Sequence, residues 1–143
     1  MPARSAEAVW EGDIREGHGT MRTSTGACEG PYSFSSRMEN GQGTNPEELL
    51  AAAHAGCFSM ALAAGLGKRG HHPQRIATTA KVHLEKSGEG FRIPRVELET
   101  KAQVPGIDEA TFQSEADSAK QNCPVSRLFA GAEITLRATL ESG

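Results

Sequence analysis

The chain has 143 residues, which suits a single domain with a modest core. Apolar residues make up 37% and charged residues 23%, so burial is expected to continue across a subunit interface. The net charge of −3 is spread over interspersed acids and bases, which excludes the one-sided positive field that nucleic acid or an anionic membrane requires.

The first twenty residues hold no apolar run of the signal-peptide type, so a cytoplasmic location is expected. Cys28, Cys57 and Cys123 are odd in number and far apart, unlike a secreted disulfide framework. Residues 6–14 predict a strand, and residues 17–25, Thr-rich and loosely alternating, predict a second strand paired to it as a hairpin. A third strand is expected over residues 31–39, with Tyr32, Phe34 and Ser36 on one face. GQGTNP is loop chemistry. A helix then begins: Asn45 suits its N-cap, Pro46 its first position, and Glu47 and Glu48 its positive end. It should run to Gly65 or Gly70. Alternation predicts strands over RIATTAKVHLEK and FRIPRVELETKAQV, the second placed at an edge by Pro94. A polar helix from Asp108 to Asn122 follows, then a short helical turn with Pro124 at N1, then a last strand over AEITLRATLES. This order makes an α+β domain with mostly antiparallel sheet.

From Leu49 to Leu66 only His54 and Ser59 are strongly polar. A helix apolar all round is a buried core helix, and its alanines and glycines let neighbours approach closely. Within it, Cys57 reads two ways. A buried thiol is ordinarily a small hydrophobe. As a nucleophile it must be a thiolate, and lowering its pKa by about two units takes roughly 2.7 kcal/mol of preferential stabilisation of the anion. Glu47 lies about 15 Å from Cys57 along the helix and cannot touch the sulfur. Its roles are to complement the helix dipole or to orient a cation that reaches the thiolate.

His54 and Cys57 share a helix face at i, i+3. That spacing lacks the paired ligands of a zinc site and the local signature of a Cys–His hydrolase, so ordinary hydrogen bonding is the expectation for His54. Cys123 precedes Pro124 at a helix start, where unpaired N–H groups favour a thiolate, so local reasoning makes it the more acidic thiol. Cys28 sits in the turn-like GACEGPY and reads as incidental.

NPEELLAAAHAGCFSMAL together with CPVSR resembles the OsmC/Ohr family of thiol-dependent peroxidases. WEGDI, SSRMENGQGTNPEELL and VPGIDEATF extend the similarity over nearly the whole chain, on the side of the OsmC branch. The resemblance implies an OsmC-like fold, with mostly antiparallel sheets around a buried central helix, in an intertwined homodimer. It implies reduction of organic hydroperoxides, and of hydrogen peroxide less well, in stress defence. It makes Cys57 the peroxidatic and Cys123 the resolving cysteine, reversing the local ranking of the two thiols. Glu47 matches the family's glutamate and Arg37 the active-site arginine of the OsmC branch. In the other branch the arginine comes from an earlier strand, where this chain offers Arg15 and Arg22. No bound cofactor or metal is implied; an external dithiol, lipoylated protein for some members, would regenerate the thiols. The competing reading is a non-catalytic carrier of apolar ligands with structural thiols.

Overall fold

The structure, a computed structural model, describes residues 2–142. They form two compact units, one up to Leu49 and one from Leu50 onward.

The first unit is built on strands β1 (Ala6–Glu11), β2 (His18–Thr23) and β3 (Glu29–Tyr32), antiparallel in that order. The expected hairpin forms, with Ala6 opposite Thr23 and Glu11 opposite His18. Its turn admits only glycine at Gly17, where a Cβ would lie 2.4 Å from two backbone oxygens. The third strand stops at Tyr32, and helix α1 (Phe34–Met38) replaces the expected continuation to residue 39. The reason is a capping box. The Ser36 amide donates to Ser33 Oγ at 3.1 Å, and the Ser33 amide donates back to Ser36 Oγ at 2.8 Å. The alternation of Tyr32, Phe34 and Ser36 imitates a strand, but two serines three apart close a helical turn.

Helix α2 (Pro46–Lys68) begins in this unit and continues into the second. Asn45 caps it as expected: the Glu48 amide donates to Asn45 Oδ1 at 2.7 Å. The Asn45 side-chain amide donates in turn to the Ser36 carbonyl at 3.0 Å, tying the start of α2 to α1. Among the described residues, no hydrophobic side chain of the first unit is fully buried.

The second unit holds strands β4 (Arg75–Ser87), β5 (Gly90–Gln103) and β6 (Glu133–Glu141), in that order. β4 and β5 form a long antiparallel hairpin. β6 adds to β5 in parallel, from Arg95 opposite Glu133 to Gln103 opposite Glu141. A parallel pair needs a crossover, and helices α3 (Glu109–Asn122) and α4 (Pro124–Leu128) supply it. β5 is therefore central, not the edge that Pro94 suggests. The proline is tolerated because it falls where the β4 register shifts between His83 and Glu85, and because the β6 ladder starts one residue later, at Arg95.

The core lies between α2, α3 and this sheet. Phe58, Leu62 and Leu66 of α2 pack with Leu98 and Ala102 of β5 and with Phe112 and Ala116 of α3. Each large side chain buried here contributes about 1.5–3 kcal/mol. Hydroxyls pin the helix to the sheet, with Ser59 Oγ 2.7 Å from Thr78 Oγ1 and Thr78 Oγ1 3.0 Å from Thr100 Oγ1. The buried stripe of α2 is His54, Phe58, Leu62 and Leu66, four residues apart, as a helix requires. The opposite side, with Ala52, Gly56, Met60 and Ala64, is open in the single chain, and Met60 is 76% exposed. Burial thus follows a stripe, although the sequence is apolar all round.

Candidate active site

Two clusters of side chains carry chemistry, one in each unit. In the first, the short helix α1 presents Arg37 and the first turn of α2 presents Glu47. The pair is bidentate: Arg37 Nε donates to Glu47 Oε1 at 2.9 Å and Nη2 to Oε2 at 2.8 Å. This fork arrangement is geometrically specific and about twice as strong as a neutral hydrogen bond. Glu47 is nearly buried while Arg37 keeps 37% of its side-chain surface exposed, so the carboxylate anchors and the guanidinium faces outward. The hydrogen bonds that Arg37 donates to Glu47 hold its guanidinium firmly charged against the opposing cost of desolvation. The other two arginines are occupied differently. Arg15 lies over the Phe34 ring, 4.6 Å from its centre, and Arg22 pairs at the surface with Glu7 at 3.2 Å.

The second cluster joins α2 to the start of α4. Cys123 ends α3 and caps α4, as the position before Pro124 leads one to expect. The Ser126 amide donates to Cys123 Sγ at 3.3 Å. The side chain of Cys123 is fully buried, whereas Cys57 is half-buried, and both are free thiols. Cys57 packs against the core cluster that contains Cys123, and the Cys123 thiol and the Val125 N–H both act on its ionisation. The structure thus brings together thiols that are 66 positions apart in sequence. Cys28 lies exposed at the β2–β3 turn.

Burial pushes the Cys57 thiol above its ordinary pKa. The Val125 N–H opposes that shift, and the neighbouring Cys123 thiol adds to it. None of these influences is a cation. In this setting the neutral thiol is favoured.

His54 is fully buried, and its Nε2 lies 2.7 Å from Ser126 Oγ, which is itself 3.3 Å from Cys123 Sγ. The expectation that His54 makes an ordinary hydrogen bond holds, but its partner leads to Cys123 and not to its helix neighbour Cys57. Nδ1 has no partner, and burial alone lowers the pKa of the ring, so the imidazole is neutral at pH 7. The Phe129 ring meets His54 edge-on, 5.3 Å between centres. Phe129 also lines an apolar hollow of about 290 Å³ with Leu50, Val82, Ile93, Val96 and Leu128. Ser126 is the residue of this cluster that the sequence reading passes over. Its only signal is the spacing of CPVS, which puts a hydroxyl three residues after the capping cysteine. Among the described residues, no three His, Cys, Asp or Glu side chains gather as metal ligands would.

The profile of the family described as OsmC-like protein matches residues 39–138, a span that contains Glu47 and both cysteines of the cluster. The chain is 49% identical over 140 residues to the Peroxiredoxin OsmC of Escherichia coli strain K12, covering 97% of each protein. It is 36% identical over 98 residues to an Organic hydroperoxide resistance protein of Xanthomonas axonopodis pv. citri, covering 67% of each. In three dimensions it is similar to an organic hydroperoxide resistance protein from Elizabethkingia anophelis, with a TM-score of 0.71, 25% identity and 99% of each chain covered. A profile match over most of the chain, and 49% identity across nearly all of it, establish that this chain belongs to the OsmC-like protein family.

Proposed function

We propose that the chain is a thiol-dependent peroxidase that reduces organic hydroperoxides, and hydrogen peroxide less efficiently, in defence against oxidative stress. The observation that carries this reading is the pairing of the half-buried Cys57 with the fully buried Cys123 across α2 and α4. One sulfur is placed to meet a substrate, and the other only to meet its neighbour. The curated relatives at 49% and 36% identity bear names of the same activity.

The Cys57 thiolate attacks one peroxide oxygen. The O–O bond breaks, and the alkoxide takes a proton and leaves as alcohol. Cys57 becomes a sulfenic acid. Cys123 then attacks Cys57 Sγ, the S–O bond breaks, and the products are a disulfide and water. An external dithiol of the lipoyl type restores both thiols by exchange. Attack by that reductant falls on Cys57, because Cys123 is fully buried.

The thiolate is the demanding part. An unassisted thiol with a pKa of about 8.5 supplies only a few per cent of anion at pH 7, and burial of Cys57 reduces that further. A cation must be brought to it. Arg37 fits this role, held in its bidentate pair with Glu47 while keeping part of its fork free. It acts on Cys57 of its own chain or of a second copy. A homodimer fits the open face of α2 around Gly56 and Met60, which a second copy would cover. The apolar hollow at Phe129 suits an alkyl chain better than hydrogen peroxide.

Thiol titration before and after one equivalent of cumene hydroperoxide tests the proposal. Loss of two thiols per chain supports the peroxidase. No loss would leave the apolar-ligand carrier with structural thiols.

A further inference from the structure

The geometry points to a proton relay for the second chemical step, in which Ser126 Oγ and His54 Nε2 carry the proton of Cys123 as its sulfur attacks the sulfenic acid on Cys57. The inference rests on the peroxidase reading above. Cys123, Ser126 and His54 form an unbroken chain: 3.3 Å from Sγ to Oγ, then 2.7 Å from Oγ to Nε2. All three side chains are buried, so bulk water is poorly placed to take the proton. Resolution needs a base there. A thiol is a poor nucleophile, and Cys123 must lose its proton as the S–S bond forms.

The step balances without any further reagent. The Cys123 S–H proton passes to Ser126 Oγ while the Ser126 hydroxyl proton passes to His54 Nε2. Cys123 Sγ bonds to Cys57 Sγ, Cys123 is oxidised, and the sulfenic sulfur is reduced as its S–O bond breaks. Hydroxide departs and takes the relayed proton back, so one disulfide and one water result and His54 ends neutral. Burial disfavours the charged ring, which makes the imidazole a temporary holder of the proton rather than its final owner. In the reverse direction, the proton released by an external thiol as it attacks Cys57 passes through the same chain to the departing Cys123 sulfur.

Two further observations favour a relay over packing alone. His54 Nδ1 is buried with no partner, so the ring is not a fully satisfied structural group. The contact also joins residues 72 positions apart, from α2 to α4, the same two elements that bring the thiols together. Ser126 touches a reacting sulfur and is the catalytic member. His54 acts through it and is a positioning and proton-holding residue.

The test is a single turnover of the reduced full-length chain with one equivalent of cumene hydroperoxide. Cys57 sulfenic acid is trapped with dimedone, and the Cys57–Cys123 disulfide is followed by mass spectrometry. The wild type should pass quickly from sulfenic acid to disulfide. Ser126→Ala, which removes one oxygen, and His54→Gln should form the sulfenic acid at close to the wild-type rate and convert it about 10²-fold more slowly, the contribution expected of acid–base catalysis. Ser126→Thr, which keeps the hydroxyl, should convert it like the wild type. Unchanged conversion in Ser126→Ala, equal slowing of both steps, or equal slowing in the Thr and Ala variants would overturn the relay and leave the peroxidase standing. A wild type that forms neither sulfenic acid nor disulfide would overturn both.

Discussion

The two units differ in chemical character, one oily and the other built around a charged pair. The unit from Leu50 onward has an apolar core of Phe58, Leu62, Leu66, Leu98 and Phe112, and both reactive sulfurs lie against it. The unit up to Leu49 has no fully buried hydrophobic side chain among the described residues. Its most enclosed charged contact is the Arg37–Glu47 pair. Oily surroundings shelter a sulfenic acid but oppose the anion that makes it, and burial accordingly pushes the Cys57 thiol up. A bidentate guanidinium has the reverse character, charged at every working pH and poorly suited to an apolar core.

The largest effect that tests this division is Cys57→Ser, which should reduce hydroperoxide turnover to background in a steady-state assay. Persistent turnover would remove the sulfur from the account altogether. Next, Leu62→Ala should cost about 2–5 kcal/mol in denaturant unfolding, because Leu62 is fully buried. Val9→Ala in the first unit should stay within about 0.5 kcal/mol, since Val9 is 55% exposed. Similar costs at both sites would erase the contrast between the units. Arg37→Met should lower the rate of Cys57 with hydroperoxide about 100-fold, equivalent to two pKa units. Its stability should fall too, because the nearly buried Glu47 carboxylate loses its bidentate partner. Glu47→Gln, which leaves the arginine but loosens its fork, should cost about tenfold in the same rate, equivalent to one pKa unit.

The smallest effect concerns His54. Its pKa is lowered in the folded chain by burial, while an unfolded histidine titrates near 6.5. Below about pH 6.5 the unfolded chain therefore takes up a proton that the folded chain refuses, and stability falls as pH drops through that window. His54→Gln removes this slope. The stability gap between variant and wild type should narrow between about pH 6.5 and 5. A constant gap would mean that His54 is not held neutral.

Much of this arrangement is legible in the sequence wherever the signal is local. Asn45 and Pro46 announce the start of α2, Asp108 that of α3, and Pro124 that of α4, because caps act within one turn. The β1–β2 hairpin follows from alternation and turn residues, and alternation marks β4 and β5 as strands. Errors arise where a local pattern is ambiguous or a partner is distant. Tyr32–Ser36 alternates like a strand until the Ser33 and Ser36 hydroxyls close α1. Pro94 suggests an edge until a register shift accommodates it in the centre. Parallel pairing of β6 on β5 depends on the crossover, which no single segment encodes. At the site, CFSMAL and CPVSR reveal the thiols through family resemblance. The bond from His54 to Ser126 spans 72 positions and leaves no local trace.

The central claim of the proposed mechanism is that Cys57 becomes a thiolate because the Arg37 guanidinium stabilises the anion. The most direct measurement is the pH dependence of the second-order reaction of Cys57 with cumene hydroperoxide, in a Cys28→Ser background, with and without Arg37→Met. The account predicts that the chain carrying Arg37 ionises well below the ordinary thiol value of about 8.5 and that the Met variant ionises above it. Coincident profiles for the two proteins would contradict it.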